Sequence, residues 1–168
     1  AARSLVRADN SLFWLGADRR GDGIFWRAQG YTPIRISTHA IEYQVSKFSR
    51  ISDCVSYSYQ DQGHTFCVWT FPTGDRTFAY DCATGLWHER ASWDTTHGTW
   101  TRAQAQFHAK AFGRHLVGSK DGATVYEQSI DYFDDAGSLR RWLRSVPIGS
   151  SENKYLYPAN VELDLEVG

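Results

Sequence analysis

The chain of 168 residues contains no methionine. It is therefore expected not to begin at its own translation start and to be one fragment, 1–168, of a longer chain. The closing "VELDLEVG" agrees, because it reads as an alternating strand cut without a turn or a polar tail. No apolar run approaches the roughly 18 residues that a membrane-spanning helix needs, so no membrane partner is expected. Nothing in the chain resembles a signal peptide. An excess of one charge is also missing. With 18 basic and 19 acidic residues the net charge is -1, which excludes a uniformly basic nucleic-acid-binding face. The three cysteines, Cys54, Cys67 and Cys82, are odd in number and irregular in spacing. They exclude a disulfide framework and are expected to be reduced, packed thiols.

What the chain has in excess is rings. Aromatics reach 15%, with seven Trp and nine Tyr, and such side chains suit pleated, half-buried surfaces. The stretches "SLFWLGA" and "GIFWRAQ" flank "DRRGDG" and predict a hairpin. "RISTHAIEYQV" is ambiguous. Ile34, Ile36, Ile41, Tyr43 and Val45 alternate as in a strand, yet Ile41 and Val45 are also spaced as in a helical turn.

The middle of the chain splits into four alternating runs at "QDQG", "PTGD" and "CATG". Cys54–Tyr59 is expected to pair with Thr65–Phe71, that run with Thr77–Asp81, and a last strand to begin at Trp87. Four antiparallel strands in sequence make a meander, in outline one propeller blade. The turn dipeptides Asp22-Gly23, Gly74-Asp75 and Asp121-Gly122 lie 53 and 46 residues apart, counted from 22 to 75 and from 75 to 121. Propeller blades repeat at roughly 40 to 50 residues. The fold class predicted is all-β, a partial β-propeller of kelch-like four-stranded antiparallel blades. Approximate blade units fall at 11–52, 53–93 and 103–145, with the start of a further strand at 155–168.

The densest polar stretch, "YDCATGLWHER", poses the choice between chemistry and construction. Tyr80, Asp81, Thr84, Gly85 and Trp87 follow the order of a kelch-type blade motif, in which the carboxylate caps the turn, the glycine turns left-handed and the Trp fills space between blades. A hydrolase would draw on Asp81, His88 and Glu89, but adjacent residues of a strand point to opposite faces and break that pair. Glu89 and Arg90 are expected on a solvated or salt-bridged surface. His64, Cys67, Cys82 and His88 contain the ligand types of a structural zinc, but packing cysteines and turn histidines are preferred, so no metal or cofactor is predicted. No G-x-S-x-G elbow and no Walker lysine is present, and Ser37 and Ser92 have no evident partners for nucleophilic work.

Two stretches suggest contact surfaces. Asp131, Asp134 and Asp135 give way to Arg140, Arg141 and Arg144 around Trp142 and Leu143, a segregation that suits either a subunit interface or a solvated strand. "SWDTTHGTWTRAQAQFHAK" reads as a long interblade loop.

Taken in order, "RISTHAIEY", "YQDQGHTFCVWTFPTGDRTFAYDCATGLWHER" and "GRHLVGSKDGATVYEQS" resemble the packaged-DNA stabilisation proteins of short-tailed phages such as P22. The resemblance runs from about residue 13 to residue 130, and "YPANVELDLEVG" is similar to the strand that follows in that family. Those are tail accessory or nozzle proteins that form a hexameric hub below the portal. The resemblance implies a structural virion component, not an enzyme, that closes the DNA channel and carries other tail proteins. It would assemble in the host cytoplasm and reside in the tail as a homo-oligomer with portal and adaptor partners. Arg19, Arg20, Arg140 and Arg141 are candidates for non-specific contact with packaged DNA. The alternatives from other classes are a kelch-like module binding a cellular protein or glycan, and a propeller hydrolase.

Overall fold

Positive backbone φ at two successive residues turns a chain back on itself with the twist that paired strands require. The computed structural model, which describes residues 1–17, 23–132 and 134, uses this device three times. Asp9-Asn10 joins β1 (Val6–Ala8) to β2 (Ser11–Ala17), Gln62-Gly63 joins β5 (Val55–Asp61) to β6 (His64–Phe71), and Phe112-Gly113 joins β10 (Ala105–Ala111) to β11 (Arg114–Ser119). Each is the first connection of a separate antiparallel sheet.

The first sheet has the order β1-β2-β3-β4, with β3 at Gly23–Gln29 and β4 at Thr32–Arg35. The second is β5-β6-β7-β8-β9, adding β7 (Arg76–Asp81), β8 (Trp87–Asp94) and β9 (Thr99–Arg102). The third is β10-β11-β12, with β12 at Val125–Gln128. Gly23 opens β3, Gly74-Asp75 lies in the β6–β7 turn and Asp121-Gly122 in the β11–β12 turn. Gly23, Gly74-Asp75 and Asp121-Gly122 thus lie at the same point, between the second and third strands of their sheets.

The ambiguous segment resolves as helix α1 (His39–Ser46). Thr38 caps it by accepting from the Ile41 amide at 3.4 Å, and Arg35 grips Glu42 of its first turn. Val45, fully buried, sits so close to Gly23 that a Cβ there would fall 2.6 Å from its methyl.

Alternation gives the second sheet two apolar faces. In register, Trp69 opposes Phe78 and Cys67 opposes Tyr80 on one side, while Val68 opposes Tyr57 and Ala79 on the other. The first side joins Phe13, Leu15 and Phe25 of the first sheet in one buried cluster. The second joins Tyr59, Phe66 and Ala105 toward the third sheet. The second sheet is thus covered on both sides, as in a stack of blades. First strands of successive sheets are neighbours: β1 lies on β5, and β10 lies on β5. Ser56 and Ser58 of β5 donate to the Arg3 and Arg7 carbonyls at 3.1 and 2.9 Å.

Three expectations need correction. The stretch 92–110 is no long loop. It contains the end of β8, a turn, β9 and most of β10, because Asp94 closes a tight turn described below. The second sheet consequently has five strands where four were expected, and the third has three among the described residues. The first sheet starts at Val6, ahead of the unit drawn from residue 11. The turn expected at 18–22, with Arg19 and Arg20, lies outside the described residues, as do Asp135, Arg140, Arg141, Trp142, Leu143, Arg144 and the strand expected at 155–168.

Candidate functional site

The "YDCATGLWHER" stretch forms the turn between β7 and β8, and its polar atoms are spent on holding that turn. The Asp81 carboxylate accepts from the Ala83 amide at 2.9 Å, the Thr84 hydroxyl at 2.7 Å and His64 Nδ1 at 2.8 Å. Gly85 adopts φ +71 and its amide donates to the Asp81 carbonyl at 2.9 Å. A residue with a side chain is disfavoured there because its Cβ crowds the carbonyl in the left-handed region. Burial pushes the Asp81 carboxyl up, but the bonds from Thr84, Ala83 and His64 outweigh it and hold the group below the usual carboxylate range.

Trp87 leaves this turn into the gap between the first two sheets. Its indole Nε1 donates to the Ile36 carbonyl at 2.9 Å, on the far side of that gap. Its ring stands 4.8 Å from Phe25, 5.1 Å from Tyr80 and 5.6 Å from Trp69, centroid to centroid. Tyr80 in turn meets Phe13 at 6.1 Å. Tyr80, Asp81, Thr84, Gly85 and Trp87 are therefore brought together, two as ring contacts between sheets and three as a hydrogen-bonded turn.

The groups once weighed for chemistry are pulled apart. His88 registers with Ala79 and Glu89 with Phe78, on opposite faces of the sheet. Glu89 pairs with Arg76 at 2.8 Å. Arg90 departs from the expected solvated role: its guanidinium bonds the Tyr59 hydroxyl, lies 5.2 Å from the Tyr59 ring centroid and donates to His88 Nε2 at 3.2 Å. Ser92 Oγ accepts from the Gln104 amide, and Ser37 accepts from the Phe25 amide and donates to Glu42.

Cys67 and Cys82 meet with their sulfurs 3.9 Å apart, whereas His64 is turned to Asp81. Among the described residues, no group of three or more His, Cys, Asp or Glu is placed to hold a metal. All three thiols are free; the Cys67–Cys82 contact and burial push the Cys67 thiol up, and burial does the same to Cys54.

A second copy of the turn escaped the reading of the sequence. Asp94 accepts from the Thr96 and His97 amides and from His97 Nδ1, and the Gly98 amide donates to the Asp94 carbonyl at 2.9 Å with φ +66 at Gly98. "DCATG" and "DTTHG" share the Asp-x-x-x-Gly spacing, which was the available signal.

Meanders stacked face to face and tied by aromatic wedges define a β-propeller type of architecture, here without a closed ring among the described residues. Over residues 1–131 the chain matches the phage stabilisation family described as Bacteriophage P22 Gp10, beta-propeller. It belongs to that family, one of phage structural proteins concerned with DNA stabilisation. No curated protein matches the chain significantly. Membership associates it with other phage structural components in the virion. Among the described residues no helix is long and apolar enough to cross a membrane.

Proposed function

We propose that the chain belongs to a tail hub that closes the portal and tail channel after packaging and provides attachment for other tail proteins. The observation that carries this reading is membership of the stabilisation family across the stacked sheets. Its mechanism would be mechanical. A sheet apolar on both faces resists bending, and its polar turns are left to meet partners. The blade motif of Tyr80, Asp81, Thr84, Gly85 and Trp87 would supply rigidity, while Arg140, Arg141, Trp142 and Arg144 would supply part of a subunit interface in a hexamer. The test is reconstitution of the full-length parent with a purified portal ring, followed by sizing of the complex. Stable co-assembly is expected; a parent that joins neither portal nor adaptor proteins contradicts the proposal.

One observation favours the binding-module alternative. A cleft of about 1030 Å³ between the second and third sheets is lined by Tyr57, Tyr59, Tyr126 and Tyr132 together with Arg90 and Glu127. Rings and planar polar groups of this kind suit a sugar or peptide. Saturable binding of a glycan, abolished by Tyr126→Ala, would move the assignment in that direction.

A further inference from the structure

Four of the chain's six histidines lie along one boundary, between the second and third sheets. His64 and His88 each stand 5.9 Å from the Phe66 ring, Phe66 stands 5.1 Å from Tyr59, and Tyr59 stands 5.7 Å from His108 and 5.9 Å from His115. The seam is thus one continuous run of rings. Tyr59, at its centre, is buried.

Two hydrogen bonds of this seam depend on an unprotonated imidazole. His108 Nε2 faces His115 Nδ1 at 2.9 Å with the ring centroids 5.1 Å apart, so the two nitrogens lie nearly on the line between the rings. Such a bond needs one N–H and one lone pair, and a pair in which both rings are cationic has no lone pair to offer. Arginine only donates, so the bond from Arg90 Nε makes His88 Nε2 an acceptor as well. Arg90 also holds the Tyr59 hydroxyl.

Charged groups of both signs surround the pair. Lys110 of β10 adds a cation near His108, whereas of the carboxylates lining the cleft Glu89 is engaged by Arg76 and Glu127 by Arg114. Asp61 of β5 and Asp134 line the cleft too. His64, by contrast, faces the Asp81 carboxylate. The hydrogen bond between the His108 ring and the Ser58 backbone favours the charged ring, but burial, His115 and Lys110 outweigh it.

We propose that this seam is an acid-labile joint: uptake of protons at the His108–His115 pair breaks the contacts that seat the third sheet on the second. The boundary between the first and second sheets, built from Phe13, Phe25, Trp69 and Trp87, stays closed. Burial and the neighbouring His115 hold the His108 ring below the ordinary histidine value. The sign follows. Between the folded and unfolded values the opened state binds more protons, so the contribution is complete above about pH 6.5 and is lost as pH falls below it. The inference rests on side-chain geometry and is independent of the tail-hub reading.

Amide hydrogen exchange of the full chain, corrected for intrinsic rates and followed from about pH 7.5 to about pH 5, tests it. Protection in β10 and β11 should fall by up to about tenfold per pH unit for each proton taken up on opening, while β2 and β3 keep theirs. His115→Gln retains a hydrogen-bonding amide and should weaken this pH dependence, and the His108 ring should titrate at a higher pH than in the unaltered chain. Equal loss of protection in all three sheets overturns the proposal, as does an unchanged pH response in His115→Gln. If that variant does not fold, the comparison of strands within the unaltered chain still decides.

Discussion

Replacing Trp87 tests how the first two sheets are joined. The side chain crosses the gap, touches three buried rings and donates one hydrogen bond to the opposite sheet. Truncating a core Trp to Ala costs about 3–5 kcal/mol. Because Trp87 is only partly buried, the lower end, about 3 kcal/mol, is expected for Trp87→Ala. Trp87→Phe keeps most of the ring contact but takes the donor from the Ile36 carbonyl, for a loss of about 1–2 kcal/mol. Urea unfolding should report both as lower midpoints at constant slope. In a chain of this size about 3 kcal/mol corresponds to a fall in Tm of about 6–12 °C. Leu86→Ala, at a neighbouring side chain that is 66% exposed, serves as the control and should change stability by less than about 0.5 kcal/mol. A Trp87→Ala loss as small as the control's would refute the wedge.

The β7–β8 turn supplies the next tests. Asp81→Ala should cost about 1–3 kcal/mol by stranding three donors, and it should flatten the acid limb of stability. The Asp81 carboxyl titrates lower in the folded chain, so its contribution is present above the ordinary carboxylate value of about 4 and is lost as pH falls through the folded one. Denaturation midpoints at several acidic pH values measure this. Backbone conformation gives a pair of opposite sign. Gly85→Ala places a Cβ at φ +71 and should destabilise by about 1 kcal/mol. Phe112 occupies φ +54 with a side chain 96% exposed, and Phe112→Asn should stabilise, because Asn tolerates that region better. Thermal melts of the two variants should move in opposite directions.

What the sequence makes legible follows the range of the interactions. The Asp81–Gly85 turn can be read because carboxylate, hydroxyl and glycine sit within five positions and bond one another. Its twin at Asp94–Gly98 uses a histidine where Thr84 stands, and without the familiar Thr-Gly pair the stretch looks like loop. Two-residue turns at Asp9-Asn10 and Phe112-Gly113 are equally hard to see, since Phe at a left-handed position runs against its preference. Helix α1 is ambiguous for a different reason. Ile41 and Val45 satisfy both periods, and the choice falls to the Thr38 cap and the Arg35–Glu42 pair. The wedge role of Trp87 is partly local, but its bond to Ile36 and the seating of His108 on β5 join residues far apart in the chain. No periodicity encodes such contacts.

The central claim is that this protein keeps packaged DNA inside the particle. The most direct measurement is nuclease-resistant DNA per particle, after packaging, with and without the full-length parent. Particles lacking it should lose their DNA, and adding the purified parent before nuclease should restore retention. Equal retention in both preparations would contradict the account.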